Sequence, residues 1–181
     1  MNTLNSNDTL VLLIDIQEKL VRALDKDIIV NNAVKLCKAA SLLDIPILYT
    51  QQYPQGLGET VANLKSVFPE GTKSFDKSSF SACADEGFLE LVKSYNKKQI
   101  LICGIETHIC VHQTASDLLE AGYEVYVAKD VCASRRKYEF KQGIEAMCQN
   151  GAKPTCLEIV LFEWLKTSKH PRFKEVQNLI K

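Results

Sequence analysis

QILICGIETHICVHQTASDLLEAGYEVYVAK, residues 99–129, holds one complete unit of an alternating fold. Its first five residues (QILIC) and last seven (YEVYVAK) are short apolar runs, continuous or nearly so, as strands buried on both faces require. Between them Val111, Ala115 and Leu118 recur at helical spacing, and Gly122 stands where a left-handed residue closes a helix. Strand, helix and strand within about 30 residues is the length of a parallel crossover.

The same alternation extends in both directions. Upstream, residues 9–16 (TLVLLIDI) and 45–50 (IPILYT) read as strands, and Ala33, Leu36, Ala40 and Leu43 mark a helix between them. Phe88, Leu91, Val92 and Tyr95 mark another helix before the central unit. Downstream come Phe140, Ile144 and Met147 with Gly151 as the stop, a weakly marked strand at 152–156, and helical patterns at 157–165 and 173–180. Residues 51–73 contain Pro54, Pro69, Gly56, Gly58 and Gly71 and read as a long functional loop. The whole predicts one α/β domain over residues 1–181, a doubly wound parallel sheet with helices on both faces in three Rossmann-like layers.

Composition narrows the function. The chain has 181 residues, 46% hydrophobic, with 22 basic and 22 acidic side chains. That length buries roughly two thirds of the unfolded surface, so the core needs neither metal nor disulfide. Zero net charge argues against nucleic acid as a partner, since such proteins carry a basic surplus. The charge is uneven: residues 134–181 hold 10 basic and 5 acidic side chains, against 12 and 17 in residues 1–133. A solvated basic helix accounts for this as simply as a partner surface. Seven cysteines without a CxxC pair fit neither a disulfide framework nor a zinc ribbon, and predict reduced thiols in a cytoplasmic setting. The polar start, MNTLNSND, and the brevity of the first apolar run predict neither signal peptide nor membrane span.

In a doubly wound sheet the site lies at the carboxyl ends of the strands. That rule selects Asp15, Thr50, residues 104–110 and Asp130. Asp15 ends an apolar run where an acid needs a reason: chemistry, a cap on the next turn, or a lysine partner. Cys110 is placed at a helix start, where amide donors and the helix dipole favour a thiolate, as a nucleophile requires. The other six cysteines, Cys103 and Cys148 clearly among them, read as small core hydrophobes. Lys77, in SFDKSSF before a helix, could bring an ammonium to this site, but spacing does not separate it from Lys73 or Lys65. His108 and His112 are four apart yet lack a third ligand, so no metal is predicted. No P-loop, GxSxG or EF-hand pattern occurs, and Gly56-Leu57-Gly58 lacks the third glycine of a dinucleotide fingerprint.

LLIDIQ (residues 12–17), FDKSSFSA (75–82) and GIETHICVHQTASDLLEAGYEVYVAKD (104–130) together resemble the isochorismatase-like cysteine hydrolases over nearly the whole chain. TQQYPQGLGETV (50–61) and HPRFKEVQNLIK (170–181) further resemble the isochorismatase domain-containing subgroup, whose members mostly lack an assigned substrate. The resemblance implies a catalytic set of Asp15, Lys77 and Cys110, and so distinguishes Lys77 from its neighbours. It also implies a cis peptide between Ile105 and Glu106, which turns the amides of Glu106 and Cys110 toward one oxyanion.

The activity so implied is hydrolysis of a C–N bond in a small molecule through a thioester, without a cofactor. Gln17, Tyr53, Phe80 and His108 are candidate pocket residues. Nicotinamidases of this family bind a metal through a histidine-containing cluster after the second strand. The corresponding TQQYPQGLG has no histidine, which places a nicotinamidase-like activity second. A catalytically idle protein serving partner binding or regulation is the competing class, and a peroxide-sensitive Cys110 thiol is a third. Relatives of this superfamily assemble as dimers or larger, so a homo-oligomer is expected, with Trp164, Phe173 and Leu179 on late helices offered to a neighbour.

Overall fold

The computed structural model describes residues 3–24 and 27–181. Six strands form one sheet: β1 (Thr9–Ile14), β2 (Ile47–Gln52), β3 (Lys73–Lys77), β4 (Gln99–Ile105), β5 (Glu124–Ala133) and β6 (Lys153–Thr155). Their order is β3-β2-β1-β4-β5-β6, and every pairing is parallel. The helices are α1 (Glu18–Leu24), α2 (Asp27–Leu42), α3 (Pro54–Leu57), α4 (Ala62–Lys65), α5 (Phe88–Ser94), α6 (His112–Glu120), α7 (Lys137–Gln149), α8 (Leu157–Leu165) and α9 (Phe173–Asn178). Helices α2 and α8 pack on β5 and on each other; α6 and α7 form the second layer against β5. All of β1 and β4 is buried, which is why both read as uninterrupted apolar runs.

The strand order reverses between β1 and β4, so the chain leaves these neighbours in opposite directions and opens a crevice at their carboxyl ends. Gly104 sets the closeness of the two strand ends. It has φ 129°, and a Cβ there would stand 2.0 Å from the carbonyl oxygen of Ile14. Only glycine permits this approach, which brings the residue after β1 toward the turn after β4.

Several expectations are corrected. The long loop is interrupted by α3 and α4 and ends in β3, so Lys77 closes a strand instead of preceding a helix. β3 is an edge strand with one buried residue in five, and carries no apolar run to announce it. β2 continues through Gln51 and Gln52, whose register partners are Asp76 and Lys77. β5 extends to Ala133 across a register shift, which puts Asp130 inside the strand. The Asp130 carboxylate accepts from Leu157 N at 2.8 Å, at the start of α8, and so has a structural task. Trp164 is 1% exposed within the chain's own core and is not offered to a neighbour, and Phe173 and Leu179 also pack against that core. All seven cysteines are free thiols, but Cys83, Cys148 and Cys156 are only half-buried. No helix among the described residues is long and apolar enough to cross a membrane.

Candidate active site

Asp15 follows β1 with φ 51° and is fully buried. Its backbone is held on both sides: N–H donates to Thr50 O at 3.2 Å, and its carbonyl accepts from Gln17 N at 2.8 Å. This left-handed residue swings the carboxyl across the end of β2, where Thr50 Oγ1 donates to Oδ1 at 2.6 Å.

Lys77 arrives from the far side of β2. Its Nζ donates to Gln52 Oε1 at 2.5 Å and to the carbonyls of Ser79 and Phe80 at 3.1 Å each. An ammonium has three protons, and these acceptors share them with the carboxylate of Asp15. Asp15 Oδ2 stands 2.8 Å from the same Nζ, with both side chains at 0% exposure, and the Cys110 thiol lies within hydrogen-bonding reach of both groups. The two groups form a buried ion pair at contact distance. A carboxylate so placed can accept a proton from a third group held against it.

The third group is Cys110. It lies in a π-helical turn, Thr107–Val111, that precedes α6, instead of at the start of a regular helix. The turn begins at Glu106, whose peptide bond to Ile105 is cis. Glu106 O accepts from Ile109 N at 3.0 Å and Val111 N at 3.3 Å, which closes the turn. Cys110 is 8% exposed. Burial first, and then the Asp15 carboxylate, push its thiol from the ordinary 9.0 up to about 12, against the pull of Lys77. The expected thiolate at a helix start is thereby corrected. A helix terminus contributes about 0.3–1 kcal/mol, and burial beside an anion outweighs it. At neutral pH Cys110 holds its proton.

The pocket candidates divide. Tyr53 and Phe80 are 60% and 57% exposed. Tyr53 N donates to Lys77 O at 3.0 Å, and Phe80 O accepts from the ammonium, so the backbones of both residues border Lys77. Gln17 is no pocket residue: it is fully buried, its Nε2 donates to Gln52 O and Gly58 O, and its Oε1 accepts from Gln52 N at 2.8 Å. Its amide welds the loop after β2 to the end of β1. Gln52, a direct partner of Lys77, has no counterpart among the sequence candidates; the only signal for it was the continuation of β2 beyond Thr50.

His108 is half-buried, with Nδ1 2.9 Å from Ser134 Oγ and Nε2 3.9 Å from Glu139 Oε2. Glu106, His108 and Glu139 bring three potential ligand atoms within 4.8 Å of one another. Arg135 and Arg136 already neutralise the two carboxylates, through Arg135 Nε at 3.2 Å from Glu106 and Arg136 Nη1 at 3.3 Å from Glu139. The group forms an ion-pair network beside the turn that carries Cys110.

The Isochorismatase domain family matches residues 9–159, the span from β1 into α8 that holds Asp15, Lys77 and Cys110. The chain belongs to the isochorismatase family. Isochorismatase domain-containing protein 2 of Xenopus laevis is 38% identical over 178 residues, covering 98% of this chain and 85% of that one. Among solved structures, the MAR1 ribonuclease of Caenorhabditis elegans has 37% identity and a TM-score of 0.93, covering 99% of this chain and 92% of that one. The YcaC gene product of Escherichia coli, described as an octameric hydrolase of unknown specificity, has 26% identity and a TM-score of 0.87, with 98% and 94% covered. The isochorismatase fold and hydrolase-family membership thus rest on nearly the full length of the chain.

Proposed function

We propose that this isochorismatase-family protein hydrolyses a C–N bond in a small amide, with Cys110 as nucleophile, Asp15 as proton carrier and Lys77 as fixed cation. The observation that supports this reading is the buried Asp15–Lys77 ion pair, 2.8 Å across, with the Cys110 thiol held against both groups. A neutral thiol next to such a carboxylate can surrender its proton as it attacks, so no resting thiolate is needed.

In the forward direction Cys110 Sγ bonds to the carbonyl carbon while its proton moves to Asp15 Oδ2. The carbonyl π pair moves to oxygen, where the backbone amides of Glu106 and Cys110 receive it; one such donor is typically worth about 10²–10³ in rate. Collapse expels the amine, which takes the proton from Asp15. Water then loses a proton to Asp15 and attacks the thioester, and the acid leaves as Cys110 recovers its proton. Lys77 balances Asp15 in its ionised form. The protein as a whole self-associates, through the exposed Ile28, Ile159 and Phe162 on α2 and α8, and works in a reducing compartment where its thiols persist.

The test is ammonia release from a panel of small amides and carbamoyl compounds by wild type and Cys110→Ala. Release by the wild type alone is expected; equal release by both proteins overturns the reading. The likeness to a protein called a ribonuclease favours RNA as a second substrate class. A labelled RNA cut by the wild type and spared by Cys110→Ala, with every amide untouched, is the outcome that selects it.

A further inference from the structure

Three consecutive cations of the basic C-terminal quarter, Arg135, Arg136 and Lys137, lie where β5 passes into α7, at the same carboxyl rim as Cys110. Arg135 is held in a particular way. Its backbone N–H donates to Glu106 Oε2 at 2.9 Å, and its Nε donates to the same oxygen at 3.2 Å. The Glu106 side chain is 11% exposed and that of Arg135 is 60% exposed. A nearly buried carboxylate thus grips the backbone and the Nε edge of an exposed guanidinium. The Nη edge, the fork that pairs with a planar or tetrahedral oxyanion, is left on the solvent side.

This segment is also fastened to the nucleophile turn. Glu106 opens that turn, and Ser134 Oγ meets His108 Nδ1 within it at 2.9 Å. Gly143 of α7 packs so closely that a Cβ there would lie 2.7 Å from His108 Cα. Arg135 is therefore in fixed register with Cys110. Lys77 cannot serve a substrate's charge, because Asp15 and three acceptors absorb it. Glu106 and Glu139 offset two of the three rim charges and leave the rim cationic.

We infer that Arg135, with Arg136 beside it, forms an anion subsite, so that the substrate is a small amide bearing a carboxylate or phosphate away from its scissile bond. The inference rests on Cys110 being the nucleophile of the proposed reaction, and its test is chosen to separate the two.

The purified full-length protein is treated with acrylamide, N-acryloyl-β-alanine and the phosphonate counterpart of the latter, and modification of Cys110 is timed by peptide mass mapping. In each case Sγ bonds to the terminal vinyl carbon and the thiol proton ends on the adjacent carbon; nothing leaves and nothing is oxidised. Rates are normalised to those of glutathione. Wild type should favour an anionic reagent over acrylamide by about tenfold, the worth of one charge-assisted hydrogen-bond pair. Arg135→Gln should bring the ratio to within about twofold, and high salt should do the same to the wild type without any mutation. Preference for the carboxylate or for the phosphonate reagent names the group the subsite holds. A wild-type ratio near one, or a ratio that neither Arg135→Gln nor salt reduces, overturns the subsite while leaving the nucleophile standing. Failure of every reagent to modify Cys110 overturns the nucleophile reading and the subsite together.

Discussion

At Cys110 the thiol pays for its position with a raised pKa, and that fixes how Asp15 must act. Asp15 raises the thiol and, in the proposed reaction, accepts its proton, so its removal should have opposite effects on two reactions. In Asp15→Asn, alkylation of Cys110 by iodoacetamide should become several-fold faster near about pH 8, because the thiol ionises more readily. Amide hydrolysis by the same variant should fall by about 10³ or more, since proton transfer typically supplies about 10²–10⁴. A variant slower in both reactions would show that Asp15 does not set the thiol's ionisation. Lys77→Met should strand the buried Asp15 charge and cost about 3–5 kcal/mol, read as a lowered denaturant midpoint. Thr50→Val keeps the shape and removes one donor to Asp15 Oδ1, a loss of about 1.5–3 kcal/mol for a hydrogen bond to a charged group.

Among the elements, the packing of α7 against the π turn decides where Cys110 sits. A Cβ on Gly143 would meet His108 Cα at 2.7 Å, His108 N at 2.9 Å and Thr107 O at 2.9 Å, all of them backbone atoms. Gly143→Ala gains about 1 kcal/mol in helix propensity and loses about 1–3 kcal/mol to overpacking. We expect a net loss of stability, read as a lowered denaturant midpoint, together with a large fall in kcat measured on whichever amide the wild type turns over. What was legible in the sequence follows from the same local physics. Buried parallel strands write themselves as apolar runs, so β1 and β4 were readable, and with them the strand-end positions of Asp15 and Cys110. β3 is half in water and has no such signature, so Lys77 was picked out by resemblance alone. Nor could spacing show that the Gln17 amide is consumed by the backbone of Gln52 and Gly58, because those partners are brought in by the loop after β2. A π turn differs from an α-helical start by one residue of hydrogen-bond register, which side-chain periodicity does not encode.

For the molecule as a whole, the buried thiols tie stability to pH. Burial pushes Cys83, Cys110 and Cys132 up to about 12, and raises Cys37 and Cys103 well above the ordinary thiol range. An unfolded thiol ionises near 9.0, so above that pH the unfolded chain sheds protons that the folded chain keeps. Stability is therefore undiminished below about pH 9 and falls as pH rises toward about 12. Urea midpoints should drop between about pH 8 and about pH 10.5, and Cys132→Ala should drop less steeply. Equal slopes for the two proteins would assign the loss to other groups.

Among the described residues, β3 pairs with β2 on one side and with no strand on the other. Edge segments exchange their amide hydrogens through small local openings that leave the rest of a protein folded. The cation that balances Asp15 hangs on that outermost segment, so the working state is governed by the free energy of detaching five residues, a smaller quantity than that of global unfolding. Mild denaturant should silence this protein well before its fluorescence or circular dichroism changes, with residues 73–77 the first to lose protection against deuterium.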